Sequence, residues 1–87
     1  MILKNKNILI TGAGKGIGFE SVKNCITEGA FVYALIKDKR DKKKFDILRK
    51  NTHKIFVGDV SNKKILQNIF KDSIKSKKII EGVVNNA

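Results

Sequence analysis

Four glycines fall within the stretch Gly12-Ala13-Gly14-Lys15-Gly16-Ile17-Gly18, directly after the apolar run Asn-Ile-Leu-Ile-Thr. A short strand that stops at glycines and passes into a helix leaves unbonded backbone N–H groups facing outward, where the helix dipole favours an anion. The glycines make such a loop workable. One permits the tight turn, one lets the backbone approach a pyrophosphate, and one allows helix and strand to pack closely. Lys15 adds a cation inside the loop. A purely structural turn is the alternative reading of these glycines, and the strand and helix on either side favour ligand binding. A magnesium-dependent ATPase is disfavoured, because Lys15 is followed by Gly16 and not by a hydroxyl residue that could reach the metal.

Few other side chains offer chemistry. Ser21, Ser61, Ser73 and Ser76 have no His or Lys arranged as a base, so helix surface or capping roles account for them. His53 is the single histidine, has no second ligand at metal spacing, and reads as a surface-loop residue; no metal site is expected. Cys25 shares a helix face with Val22 and reads as a small buried hydrophobe. As the only cysteine it permits no internal disulfide, which points to a reducing, cytoplasmic compartment.

The elements that must position the loop follow from the apolar pattern. Asn7–Thr11 reads as a strand, residues 17–28 as a helix with Val22, Cys25 and Ile26 at helical spacing, and Phe31–Ile36 as a strand buried on both faces. Residues 41–51 carry Phe45 and Leu48 on a Lys-rich frame and read as a modest amphipathic helix. His53–Val57 is a third strand, closed by Gly58-Asp59. Ser61 is the expected N-cap of a clear helix whose apolar face is Ile65, Leu66, Ile69, Phe70 and Ile74. Residues 79–85 supply a fourth strand. The order β-α-β-α-β-α-β with short connections implies an α/β fold with right-handed parallel crossovers, a partial doubly wound sheet of the Rossmann type with strand order 3-2-1-4. Residues 1–87 are expected to form the N-terminal dinucleotide-binding part of a single domain, truncated after the fourth strand, with a helix-sized apolar area of the sheet uncovered.

Composition narrows the function classes. Eighty-seven residues accommodate one domain, and 41% hydrophobic with 31% charged content argues against disorder over most of the chain. No apolar run approaches the roughly 18 residues of a membrane span, so no membrane association is expected. Nineteen Lys and Arg against eight Asp and Glu give a net charge of +11, which raises an anionic polymer as a partner. The lysines are spread over helix faces, and most of the five Phe sit on strands or apolar helix faces, so a nucleic-acid module is the weaker reading.

The loop Thr-Gly-Ala-Gly-Lys-Gly-Ile-Gly over residues 11–18 resembles the T-G-x-x-x-G-x-G loop of the short-chain dehydrogenase/reductase family. Gly58-Asp59-Val60 resembles that family's Asp-Val pair at the adenine ring, and Val84-Asn85-Asn86-Ala87 resembles its N-N-A-G segment without the last Gly. The bacterial carrier-protein 3-oxoacyl reductases look most similar. The resemblance implies hydride transfer between a nicotinamide dinucleotide and a carbonyl or alcohol, in a parent enzyme that is a homo-oligomer. It further implies cofactor contacts from Gly12, Ala13, Gly14, Lys15, Gly16, Ile17, Gly18, Asp59, Val60 and Asn86. Ile36 stands where NAD-preferring members carry Asp, and Lys37 follows it, so Lys37 and Lys15 favour NADP(H) over NAD(H) by attracting a 2′-phosphate; Asp38 argues the other way.

The family's Ser, Tyr and Lys catalytic groups lie beyond the N-N-A-G segment, so none is expected within these residues. Tyr33 and Lys37 match Y-x-x-x-K literally but fall on a strand, where four residues span about 13 Å and not one helical turn. The reading is therefore the NADP(H)-binding portion of an oxidoreductase, inactive by itself. A non-catalytic nucleotide-binding regulatory domain is the alternative.

Overall fold

The computed structural model describes residues 2–86. Strands β1 (Asn7–Thr11), β2 (Phe31–Ile36), β3 (His53–Val57) and β4 (Gly82–Asn85) form one parallel sheet in the order β3-β2-β1-β4. Helix α1 (Gly16–Thr27) links β1 to β2, a 3-10 helix (Lys39–Ile47) links β2 to β3, and helix α2 (Lys63–Lys75) links β3 to β4.

The sheet separates two apolar layers because strand side chains alternate faces. Ile10, Val32, Ala34 and Ile36 point to the layer that holds Val22 and Ile26 of α1 and Phe45 of the 3-10 helix. Leu9, Tyr33 and Leu35 point to the other, under Ile69 of α2. The run from Val32 to Ile36 is buried throughout, which is why β2 carries no polar alternation. Phe19 and Phe45 meet edge to face at 5.2 Å, joining α1 to the 3-10 helix. On the opposite face the Tyr33 hydroxyl donates to Asp72 at 3.2 Å, and Lys54 donates to the same carboxylate at 2.6 Å. Those bonds hold Asp72 below the usual carboxylate range, Lys54 being the main cause. Burial, then Asp72, raises the Tyr33 phenol above its ordinary value.

Four expectations need correction. Residues 41–51 are not an α-helix: the 3-10 helix starts at Lys39, where Asp38 accepts the Arg40 N–H at 2.9 Å, and Phe45 is its one buried residue. With a single docking side chain, the segment has no apolar stripe to stabilise α-helical spacing. The N-cap of α2 is Asn62, whose side chain accepts from Lys64 N at 2.9 Å. Ser61 is not available for that role, since its N–H and hydroxyl both donate to Asp59. Strand β4 begins at Gly82, whose partner on β1 is Ile8; the residues before it meet β1 only at its first residue, where Glu81 N–H donates to the Asn7 carbonyl oxygen and the Asn7 side chain donates to Ile79 O. His53 opens β3 and is half-buried beside the Phe45 ring at 5.5 Å, not in a surface loop.

The α2 helix buries less of its apolar face than the pattern implies. Ile69 is buried, whereas Phe70 is 40% exposed and Ile74 65% exposed, on the side of the sheet where Val83 is also open.

Candidate functional site

Parallel topology brings the C-terminal ends of β1, β2 and β3 to one edge of the sheet, and the glycine loop leaves β1 there. Gly12 takes φ +59°, a conformation that costs glycine little. The Ala13 N–H donates to Leu35 O of β2 at 3.0 Å, and its methyl is fully buried, so the loop is pinned to the neighbouring strand at that residue. Gly18 is required by space: a Cβ there would lie 1.8 Å from the Gly12 carbonyl oxygen. The first turn of α1 therefore lies directly against the loop. Lys15 is the N-cap residue of α1, extended in conformation and without a side-chain cap bond, and the first turn has no acidic residue. The helix start thus presents N–H groups that the chain itself does not cap with a side chain.

An open cavity of about 790 Å³ lies beside this loop, lined by Gly12, Gly14, Lys15, Lys37, Asp38, Lys39, Asp41, Val57 and Asn86. Of the residues expected from sequence, Gly12, Gly14, Lys15, Lys37 and Asn86 meet there. Asp59 and Val60 line an adjoining cavity of about 280 Å³ that shares Gly12 and Lys37 with the first. Ala13 lies beneath the loop, and Gly16, Ile17 and Gly18 form the start of α1, with the Ile17 side chain largely exposed.

The charges at the rim are paired across short distances. Asp38 takes the Arg40 guanidinium through bonds of 2.8 and 3.1 Å as well as the Arg40 N–H, and these interactions hold its carboxyl at about 2. Asp59 is lowered as well, chiefly by the Ser61 N–H and then the Ser61 hydroxyl, with Lys37 at 4.0 Å a lesser cause. Asp41 lies 3.9 Å from Lys15 and 3.5 Å from Lys44. Sequence reasoning missed Asp41, Lys39 and Lys44, because within the run Lys39-Arg40-Asp41-Lys42-Lys43-Lys44 nothing local distinguishes one cation from another.

Thr11 joins two of the motifs. Its buried hydroxyl donates to the Asn85 side-chain oxygen at 2.8 Å and accepts the Asn86 N–H at 3.3 Å, so the end of β4 is tied to the residue from which the glycine loop departs. Ala87, the last residue of the fourth-strand motif, lies outside the described residues. Tyr33 is buried on the α2 side with its hydroxyl on Asp72, far from a proton-donor role.

A family model described as short chain dehydrogenase matches residues 6–87. The chain belongs to the short-chain dehydrogenase family. Its glycine loop, the paired strand ends and the parallel sheet are thus the nucleotide-binding portion of an oxidoreductase-type domain, and the family implies a nicotinamide dinucleotide as cofactor. A search of curated proteins finds no match. Among the described residues no helix is long and apolar enough to cross a membrane.

The site fits such a cofactor. The uncapped start of α1 and the glycine-rich loop would offer a pyrophosphate donors and a close approach. Gly12, Gly14, Lys15, Lys37 and Asn86, which line the cavity beside the loop, are the residues that would hold it. A bound dinucleotide would supply or accept a hydride, and the residues around the loop would bind and orient it.

Proposed function

We propose that residues 1–87 are the N-terminal NADP(H)-binding part of one Rossmann domain in a short-chain reductase. The single observation that carries the cofactor preference is the convergence of Lys15, Lys37 and Lys39 on one cavity at the end of β2. Asp38, the carboxylate that would favour an unphosphorylated ribose, is engaged by Arg40, and Asp41 is flanked by Lys15 and Lys44. A 2′-phosphate in that cavity meets more positive than negative charge. Lys15 and Lys37, at 70% and 86% side-chain exposure, can swing onto it without breaking a buried contact. Asp59 and Val60 border the adenine, and Asn86 borders the adenosine ribose.

The parent reaction is hydride transfer between NADPH and a carbonyl, with 3-oxoacyl thioesters as the substrate class that the motifs suggest, in a cytoplasmic homo-oligomer. These residues by themselves bind and do not turn over substrate, since the one Tyr hydroxyl is committed to Asp72. Competing titrations of the chain with NADPH and NADH, followed by nicotinamide fluorescence, test the preference. Lys15→Ala and Lys37→Ala are each expected to weaken NADPH about tenfold with little change for NADH. Equal losses for both dinucleotides would remove the 2′-phosphate assignment.

A further inference from the structure

Lys44 belongs to none of the three motifs, yet its ammonium donates to the Gly14 carbonyl oxygen at 2.8 Å. Three residues earlier on the same 3-10 helix, Asp41 places Oδ1 3.5 Å from Lys44 Nζ and Oδ2 3.9 Å from Lys15 Nζ. The Asp41 side chain is only 13% exposed. It lies so close to the loop that a Cβ on Gly14 would fall 2.9 Å from its Oδ2 and 3.0 Å from its own Cβ. Gly14 is therefore the point where the 3-10 helix touches the glycine loop, and the contact is both steric and ionic.

A planar trans peptide directs its C=O and the following N–H to opposite sides. Anchoring the Gly14 carbonyl on Lys44 consequently sets the direction of the Lys15 N–H, away from the 3-10 helix. Lys15 is also the N-cap of α1, so the same peptide plane governs how the chain enters the uncapped helix start. Among the described residues Lys44 stands outside the cavity lining, so its influence on a ligand passes through the loop. Its charge also offsets that of Asp41, which does line the cavity and would otherwise face an anionic ligand.

We propose that Asp41 and Lys44 are positioning residues that clamp the glycine loop of the dinucleotide site through the Gly14 carbonyl. The inference rests on the dinucleotide-binding reading of that site. It separates the roles of the nearby cations: Lys15 and Lys37 act on one cofactor form, whereas Lys44 acts on both. A bond from an ammonium to a carbonyl is worth enough that its loss changes an equilibrium by about tenfold.

The test uses the 87-residue chain and two variants, Lys44→Met and Lys44→Arg. Amide hydrogen exchange without ligand should show the bonded amides on either side of the clamped peptide, Ala13 N–H on Leu35 O and Phe19 N–H on Lys15 O, exchanging about tenfold faster in Lys44→Met, with β1 and β2 amides unchanged. Titration with NADPH and with NADH should then show both dinucleotides weakened by the same factor of about ten, and Lys44→Arg should recover most of the loss. Unchanged loop exchange in Lys44→Met overturns the clamp, as does a loss confined to NADPH, which would make Lys44 a direct phosphate contact. If the parent chain binds both dinucleotides and Lys44→Met binds them equally well, the positioning role fails alone. If the parent chain binds neither, the dinucleotide reading fails and the positioning role with it.

Discussion

Helices α1 and α2 start at the same edge of the sheet and treat their first N–H groups in opposite ways. Asn62 caps α2, and just before it Asp59 takes both the N–H and the hydroxyl of Ser61. The 3-10 helix at this edge is closed in the same manner by Asp38. Helix α1 has no such device: Lys15 carries no cap bond, and glycines replace the side chains that would shield the helix start. A parallel sheet gathers several positive helix ends together. On the proposed reading, the difference between α1 and α2 means that a ligand site is made by withholding a cap and clearing space, not by the dipole alone.

The largest effect on this contrast is expected at Gly18. Gly18→Ala forces a methyl onto the Gly12 carbonyl and is expected to cost at least about 3 kcal/mol of stability and to abolish dinucleotide binding. Urea denaturation and NADPH titration measure the two losses. Gly16→Ala is the control. It takes φ +49° with open space around its Cβ, so its penalty should be limited to about 1 kcal/mol of backbone strain.

The next substitution makes α1 resemble α2. Lys15→Asp places a capping carboxylate in a residue that already has extended N-cap geometry. It should raise stability by about 1 kcal/mol while weakening NADPH by roughly 100-fold, through lost attraction and added repulsion. A gain in stability without loss of binding would mean that the ligand does not use this helix start. The converse change, Asn62→Ala, should lower stability by about 1 kcal/mol and leave dinucleotide affinity unaltered.

Much of this contrast was legible in the chain itself. The glycine spacing located the uncapped end, and strands β1, β2 and β3 have the bounds their apolar runs imply, since each is a short run ended by glycine or charge. Less legible were features decided by competition between neighbours. Asp59 engages Ser61 and shifts the cap of α2 to Asn62, and Phe45 alone docks the segment expected to be an α-helix. The contact between Lys44 and Gly14 joins residues 30 apart in sequence, and no local pattern marks it.

The smallest expected effect concerns His53. Burial beside Phe45 pushes its imidazole below the ordinary 6.5, so the folded chain favours the neutral ring. Its contribution is complete above that ordinary value and declines as pH falls below it, because the unfolded chain takes up the proton first. Urea midpoints measured between pH 7 and pH 5 should therefore fall, and His53→Gln should flatten the decline. A steeper decline in the variant would contradict the assignment.

The uncapped start of α1 is the proposed dinucleotide site, and backbone amide shifts of the chain titrated with NADPH test that assignment most directly. The expected result is saturable movement of the amides of residues 12–18, while those of the capped first turn of α2 stay in place. Shifts that never saturate and follow the Lys-rich surface, with the glycine loop unmoved, would contradict it.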